Sequence, residues 1–177
     1  MKCKVILNKN SSIESSGQAH VYGDAIDTDR IIPGKYTKTL DLAELASHVM
    51  EDLDPHFRSR MKHGDLIVAG THFGCGSSRE QAPLALKAAG VSAVVAKSFA
   101  RIFFRNAINI GLPVIEIAEH SIQQGDSIHF NLTQGVIHNV TQKIHYSCTP
   151  LPPVMLNILN AGGLVPFLRA GGNFADK

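Results

Sequence analysis

Short apolar runs alternate with amphipathic stretches in the middle of the chain. Runs of strand length occupy residues 66–70, 91–96 and 114–117, and apolar residues recur at helical spacing over about 79–89 and 99–110. A glycine follows each of the two predicted helices, as is common where a helix ends. Strands and helices that alternate at these distances predict a parallel βαβαβ layer with right-handed crossovers. The loops at the carboxyl ends of the strands are then the expected place for a functional site.

Two segments of different character precede this layer. Residues 8–18 are polar and rich in serine, which predicts a loop rather than a core element. Residues 40–61 carry apolar side chains at helical spacing, which predicts one or two helices with a break near Pro55.

The pattern changes again after Glu119, where apolar and polar residues alternate. The predicted elements are a hairpin, a third strand and a short helix: 127–132 with 136–140, 144–146, and 154–161. The predicted fold class is therefore α/β, with a parallel βαβαβ layer and a β-rich C-terminal annex. We expect a single domain over residues 1–177, with its core in 19–169.

Composition and charge narrow the class of protein. Hydrophobic residues make up 44% of the 177 and charged residues 18%, so the chain can bury a core, and this composition disfavours a wholly disordered, collagen-like or coiled-coil protein. A formal net charge of +2 gives no electrostatic reason to expect nucleic acid or a membrane surface as a partner. No apolar run approaches the roughly 20 residues of a membrane span, and the apolar opening is too short for a secretory signal. We expect a cytoplasmic protein.

The three cysteines Cys3, Cys75 and Cys148 lie far apart in sequence and form no C-x-x-C pair. This argues against a disulfide scaffold, a complete zinc site or a self-contained iron–sulfur cluster. The nine histidines are scattered and include no H-E-x-x-H spacing, so the sequence predicts no metal site in this chain.

The densest group of polar residues runs from Gly74 to Glu80, after a predicted strand and at the start of a predicted helix. Glycines allow a tight turn, N–H groups at a helix start favour an anion, and Arg79 offers a two-pronged donor that suits a carboxylate. The alternative is structural: Ser78 would cap the helix, and Arg79 would be a surface charge. Cys75 near His72 could act as a thiol nucleophile with a histidine base, although a small thiol between glycines is more often a packing residue.

A second group comprises Asp24, Asp27 and Asp29, in a loop that closes at Pro33-Gly34. Three carboxylates so close together suit a hard cation or a substrate hydroxyl. Aspartates of this kind also form turns through their own backbone. The residues alone leave both interpretations open.

Four blocks of sequence, in this order, closely resemble the small subunits of 3-isopropylmalate dehydratases, which correspond to the swivelling domain of aconitase. The blocks are Gly23-Asp24 with Asp27-Thr28-Asp29 and Ile31-Ile32-Pro33-Gly34, then Phe73-Gly74-Cys75-Gly76-Ser77-Ser78-Arg79-Glu80, then Ala96-Lys97-Ser98-Phe99-Ala100-Arg101-Ile102-Phe103, and finally Asn106 to Pro113. Residues 161–164 also resemble the family's terminal helix. The resemblance spans about residues 19–169, and four blocks in family order are far more specific than any one of them.

The resemblance implies a swivelling-domain fold and a hydro-lyase that acts on a small hydroxy-dicarboxylate. In this family water leaves a 2-hydroxy acid and returns at the neighbouring carbon. A [4Fe–4S] cluster acts as Lewis acid on the substrate hydroxyl, and a serine alkoxide removes the proton bound to carbon. The family's cluster ligands belong to a larger partner subunit, so this chain is expected to bind no cofactor itself and to be inactive alone.

Carried over by position, Ser77 is the expected base, and Ser78 and Arg79 bind a substrate carboxylate. Since a free serine hydroxyl ionises too weakly at neutral pH, Arg79 and the helix-start N–H groups would stabilise its alkoxide. Asp29 is expected near the departing hydroxyl as a second catalytic residue. Asp24 and Asp27 are expected only to brace the loop.

The choice of substrate depends on the loop after Pro33-Gly34, which touches the variable substituent in such subunits. Here it contains Lys38, which suits an extra carboxylate better than an isopropyl group. Leucine biosynthesis is the first expectation, with homoaconitase-type or dimethylmalate-type dehydration as alternatives. Lys38 would otherwise point to solvent over Tyr36. A different class also stays open, a non-catalytic module that binds an organic acid and regulates a partner.

Overall fold

Seven strands form one mixed sheet in the computed structural model, which describes residues 12–39 and 41–174. Their order across the sheet is β4-β3-β2-β1-β5-β6-β7. The strands are β1 (Glu14–Val21), β2 (Leu66–Ala69), β3 (Ala93–Ala96), β4 (Val114–Glu116), β5 (Ser127–Asn131), β6 (Val136–Asn139) and β7 (Ile144–Ser147).

The half of the sheet from β1 to β4 is parallel. Val68 lies opposite Val21 on one side and Val95 on the other, and Val95 lies opposite Ile115. Helix α4 (Gln81–Ala88) crosses from β2 to β3, and α5 (Arg101–Ile110) crosses from β3 to β4. All residues of β2 and β3 are buried, which explains why these strands read as continuous apolar runs. The predicted parallel βαβαβ layer is confirmed.

The other half of the sheet is an antiparallel meander of β5, β6 and β7, as the alternating pattern predicts. It is continuous with the parallel half through β1. The first part of β1 pairs antiparallel with β5, from Glu14 to Gln18, and the last part pairs parallel with β2, from Ala19 to Val21. The β-rich annex therefore extends the same sheet.

The polar loop predicted over 8–18 is wrong from Glu14 onward, because β1 begins there; its residues 8–11 lie outside the described part of the chain. Side chains of 14–18 are exposed or half-buried, so the strand forms by backbone pairing with β5 rather than by burial of apolar residues. The strand also passes close to Gly64, where a Cβ on Gly17 would overlap the backbone. The serines and the glycine of residues 15–17 suit this closely packed strand, although in the sequence they are typical of a loop.

The remaining helices are short. They are α1 (Thr28–Ile31), α2 (Leu42–Ser47), α3 (Phe57–Arg60), α6 (Pro153–Asn160) and α7 (Leu164–Arg169). The prediction of one or two helices within 40–61 with a break near Pro55 is confirmed, because α2 and α3 lie on either side of Pro55. Helices α1 and α2 pack on α4, and α5 packs on α4, α6 and α7. Within 12–39 and 41–174, no helix has the length and apolarity needed to cross a membrane.

Candidate active site

The loops that follow β1 and β2 run side by side beyond the carboxyl edge of the sheet. The amide of Gly74 donates to the carbonyl of Ile26 at 2.7 Å, and the amide of Thr28 donates to the carbonyl of Cys75 at 2.9 Å. Asp27 and Cys75 form a parallel bridge between the two loops. This pairing brings the Asp27-Thr28-Asp29 block next to the Gly74–Glu80 block, although almost 50 residues separate them in sequence.

Asp29 and Arg79 form an ion pair across these two loops, between the carboxylate Oδ1 and Nη1 of the guanidinium. The Asp29 side chain is 57% exposed and that of Arg79 26%. Gly34 leaves space beside the pair, because a Cβ there would lie 3.3 Å from Asp29 Oδ1 and 3.5 Å from Arg79 Nη2. The structure thus joins two of the residues that the sequence assigns to the site.

Ser77 is exposed, and the hydroxyl next to its own is that of Thr28. Thr28 Oγ1 donates to the Ser77 carbonyl at 3.0 Å and lies 3.4 Å from Ser77 Oγ. Thr28 is only 2% exposed, so its position is fixed by the surrounding core. No role for Thr28 is predicted from the sequence, although its place between Asp27 and Asp29 is a signal that points to it.

Helix α4 begins later than the sequence predicts, and this changes the surroundings of Ser77. Its N-cap is Glu80, whose side chain makes no capping bond, so a cap at Ser78 is wrong. The amide of Arg79 is already bonded to the carbonyl of Ser77 at 2.8 Å. In the described part of the chain, the hydrogen-bond partner of Ser77 Oγ is Thr28 Oγ1, and the guanidinium of Arg79 pairs with Asp29.

Ser78 and Lys38 are exposed, and neither side chain has a hydrogen bond or ion pair within residues 12–39 and 41–174. Lys38 points to solvent, as the alternative expected, but the residue over Tyr36 is Lys35, whose Nζ lies 4.7 Å from the ring centroid. The structure leaves the Lys38 ammonium free to meet a ligand or a partner.

Asp24 and Asp27 brace the loop, as expected. Asp24 Oδ1 accepts from the amide of Thr71 at 2.6 Å, and this bond lowers the pKa of Asp24. Asp27 caps α1 by accepting from the amide of Arg30 at 2.8 Å. Within the described residues, no group of three or more His, Cys, Asp or Glu side chains could hold a metal ion.

Gly74 and Gly76 both have left-handed backbone, with φ of 78° and 90°. A Cβ on Gly74 would overlap ring atoms of Phe103, which is 2% exposed, whereas a Cβ on Gly76 would find its nearest neighbours at 3.4 Å. Gly74 thus serves packing over the Phe73 and Phe103 rings, whose centroids lie 5.2 Å apart. Cys75 is half-buried and free, and no hydrogen bond joins it to His72 in the described structure.

Comparisons with known proteins show which families and structures this chain is similar to. The family model for the aconitase C-terminal domain matches residues 10–120. The 3-isopropylmalate dehydratase small subunit of Caldicellulosiruptor saccharolyticus is 55% identical over 155 residues, which cover 86% of this chain and 90% of the relative. The 3-isopropylmalate dehydratase small subunit 1 of Methanopyrus kandleri is 52% identical, over 88% of this chain and 93% of its own. The crystal structure of 3-isopropylmalate dehydratase (leuD) from Methanocaldococcus jannaschii is 48% identical with a TM-score of 0.85, covering 88% of this chain and 93% of that one.

Proposed function

Because the chain belongs to the family of 3-isopropylmalate dehydratase small subunits, we propose that it supplies part of the active site of a hydro-lyase. The enzyme interconverts 2-isopropylmalate and 3-isopropylmalate by removing and restoring water, in leucine biosynthesis. The observation that carries this proposal at the level of the site is the convergence of Asp29, Ser77 and Arg79 from two loops at one edge of the sheet.

Ser77 is the proposed base that takes the proton from carbon. Its exposed hydroxyl can reach a substrate, and Thr28 Oγ1 lies 3.4 Å away. A rotation of the Thr28 hydroxyl would move its proton from the Ser77 carbonyl to Ser77 Oγ, and a donor placed there stabilises an alkoxide. In the return direction the same serine delivers the proton to carbon.

Arg79 is the proposed ligand of a substrate carboxylate, together with the hydroxyl of Ser78. The guanidinium has five N–H donors, so a pair that uses Nη1 for Asp29 leaves others for the substrate. Asp29 fixes the direction of that guanidinium. Since its own side chain is more than half exposed, it can also accept a hydrogen bond from a substrate hydroxyl beside Arg79.

The [4Fe–4S] cluster implied by the family does not fit the described residues of this chain, whose cysteines are Cys75 and Cys148. Cys75 lies in the loop after β2, and Cys148 follows β7 at the other side of the sheet. We assign the cluster to a larger partner subunit, and none of the steps above passes through it. The swivelling-type domain then brings Ser77 and Arg79 to the partner's half of the site.

The position of Lys38 is the reason to consider a second class of substrate. Its exposed ammonium has no partner within the described residues, which suits an acid that carries a further carboxylate in place of the isopropyl group. The alternatives of the same reaction type are homoaconitase-type dehydration, whose substrates carry that further carboxylate, and dimethylmalate-type dehydration, whose substrate does not.

The test is anaerobic turnover of 2-isopropylmalate and of homoaconitate by this chain mixed with its reconstituted cluster-bearing partner, with each chain alone as a control. We expect turnover only in the mixture and a preference for isopropylmalate. A preference for homoaconitate would assign the chain to the alternative substrate. A stable complex that turns over neither acid would contradict the proposal and favour a non-catalytic binding module.

A further inference from the structure

The segment 34–39, here called the 34–39 loop, borders the proposed carboxylate site. It opens at Gly34, where a Cβ would lie 3.3 Å from Asp29 Oδ1 and 3.5 Å from Arg79 Nη2, and it forms a single 3₁₀ turn over Gly34–Tyr36. Gln81 Nε2 donates to the carbonyl of Thr37 at 3.2 Å, so the first residue of α4 holds the loop from the side of Arg79. Lys38 follows directly. An acid held by Arg79 therefore has the 34–39 loop as its neighbour.

The loop is held from its other side by the end of α2. The ring of Tyr36 stacks on that of His48, with centroids 3.6 Å apart and planes within 8° of parallel. Glu51 holds this stack: its Oε2 lies 2.7 Å from His48 Nδ1, and its Oε1 lies 3.2 Å from Lys35 Nζ. The same Lys35 ammonium lies over the Tyr36 ring. These contacts form a closed group of four side chains, two in the loop and two outside it.

The contacts within this group of four side chains favour the charged forms of Lys35 and Glu51. Hydrogen bonds with Tyr36 and Glu51 raise the pKa of Lys35. Burial by itself would raise the pKa of Glu51, but its bonds to His48 and Lys35 outweigh that effect and lower it. The carboxylate and the ammonium are therefore both charged at neutral pH, and His48 stays oriented for the stack by its bond to Glu51.

We propose that His48 is a positioning residue for substrate selection: by stacking on Tyr36 it fixes the 34–39 loop, and with it Lys38, beside Arg79. This inference rests on the proposed function, in which Arg79 binds the substrate. His48 does not touch the substrate, and it takes no part in proton transfer. Loss of its ring loosens the loop and weakens the discrimination between an isopropyl group and a carboxylate.

The first test is amide hydrogen exchange on this chain alone. The amides of Tyr36 and Thr37 donate to the carbonyls of Pro33 and Gly34 at 2.9 and 3.2 Å, so they report directly on the loop. His48→Ala is expected to speed their exchange about two- to tenfold, the range for loss of one aromatic pair. Exchange in β3 should not change. His56→Ala, a substitution of an exposed histidine outside the loop contacts, is the matched control.

The second test measures KM and kcat for isopropylmalate and homoaconitate in the reconstituted complex. His48→Ala is expected to raise KM about two- to tenfold and to change the ratio of kcat/KM for the two acids, with kcat within about twofold. His48→Phe, which keeps a ring for Tyr36, should lie closer to the unmodified chain in both tests.

The results separate this inference from the proposed function. Unchanged exchange in His48→Ala would overturn the positioning role, and so would faster exchange with unchanged KM and unchanged selectivity. A His48→Phe variant as perturbed as His48→Ala would overturn stacking as the cause. If the unmodified complex converts neither acid, the proposed function and the selection role built on it both fail, whereas the exchange result still decides whether His48 holds the loop.

Discussion

The glycine at position 74 gives the sharpest test of how the site loop is built. Its backbone is left-handed, and a methyl group there would overlap ring atoms of the buried Phe103. Gly76, two residues on, has a similar backbone, but a methyl group there would meet its nearest neighbours at the ordinary contact distance of 3.4 Å. Alanine at the two positions therefore shares the backbone strain and differs in the steric overlap. We expect Gly74→Ala to destabilise the chain more than Gly76→Ala.

The magnitude follows from these two contributions. An L-residue in the left-handed region costs about 1–2 kcal/mol, and this cost applies to both variants. Overpacking a core costs about 1–3 kcal/mol more, and this cost applies only to Gly74→Ala. In a chain of this length 1 kcal/mol corresponds to roughly 2–4 °C in melting temperature. Gly74→Ala should therefore melt about 2–12 °C below Gly76→Ala.

Thermal unfolding followed by far-ultraviolet circular dichroism measures this difference, since the chain has no tryptophan for fluorescence. Both variants are compared with the unmodified chain under the same conditions. Gly74→Ala melting at or above the temperature of Gly76→Ala would refute the reasoning, because the Phe103 ring would then not need the space at position 74.

Three other predictions concern the site and the core. Arg79→Lys should raise KM for isopropylmalate about 10- to 100-fold, because a point ammonium cannot replace the two-pronged guanidinium; steady-state kinetics with unchanged KM would count against Arg79 as a carboxylate ligand. Lys38→Leu should lower KM for isopropylmalate and raise it for homoaconitate, and unchanged KM values for both acids would remove Lys38 from substrate selection. Asp65 is buried, which by itself raises its pKa, but hydrogen bonds led by the one to His20 at 3.0 Å outweigh burial and hold the pKa below its ordinary value. The stability that the Asp65 carboxylate provides is present above the ordinary aspartate pKa of about 3.9 and is lost as pH falls through the lower pKa of the folded state. In denaturant titrations at several pH values, Asp65→Asn should therefore lose less unfolding free energy on acidification than the unmodified chain. An equally steep loss in the variant would contradict this.

The parallel layer could be predicted because its strands are buried along their whole length. Strands β2 and β3 contain only apolar residues, and a glycine follows each of the crossing helices α4 and α5. The composition of the strands and the helical spacing between them therefore both predict buried parallel strands. Strand β1 gave no such signal. It lies between a parallel and an antiparallel neighbour, but its first five residues are held mainly by backbone bonds. A pattern of polar and apolar side chains cannot predict a strand that is held by backbone hydrogen bonds.

At the site, likewise, the sequence motifs predict which residues are involved, but only the fold shows which of them contact one another. The blocks of sequence predict Ser77, Arg79 and Asp29 as site residues, and the pairing of the two loops explains why those blocks meet. The ion pair between Asp29 and Arg79 could not be predicted, since it depends on the path of both loops. The place of Thr28 beside Ser77 likewise follows from the register between Asp27 and Cys75. The helix start differs from the prediction because Ser78 faces solvent instead of capping α4.

Turnover of Ser77→Ala in the reconstituted complex tests the central claim most directly, with Ser78→Ala as the neighbouring control. Ser77 is exposed, and within residues 12–39 and 41–174 its hydroxyl has only the 3.4 Å contact with Thr28, so its removal should leave melting temperature and complex formation unchanged. General-base catalysis contributes about 10²- to 10⁴-fold, and kcat should fall by at least that much, while Ser78→Ala should mainly raise KM. A Ser77→Ala complex that keeps more than about a tenth of the unmodified kcat would contradict the claim that this chain supplies the base.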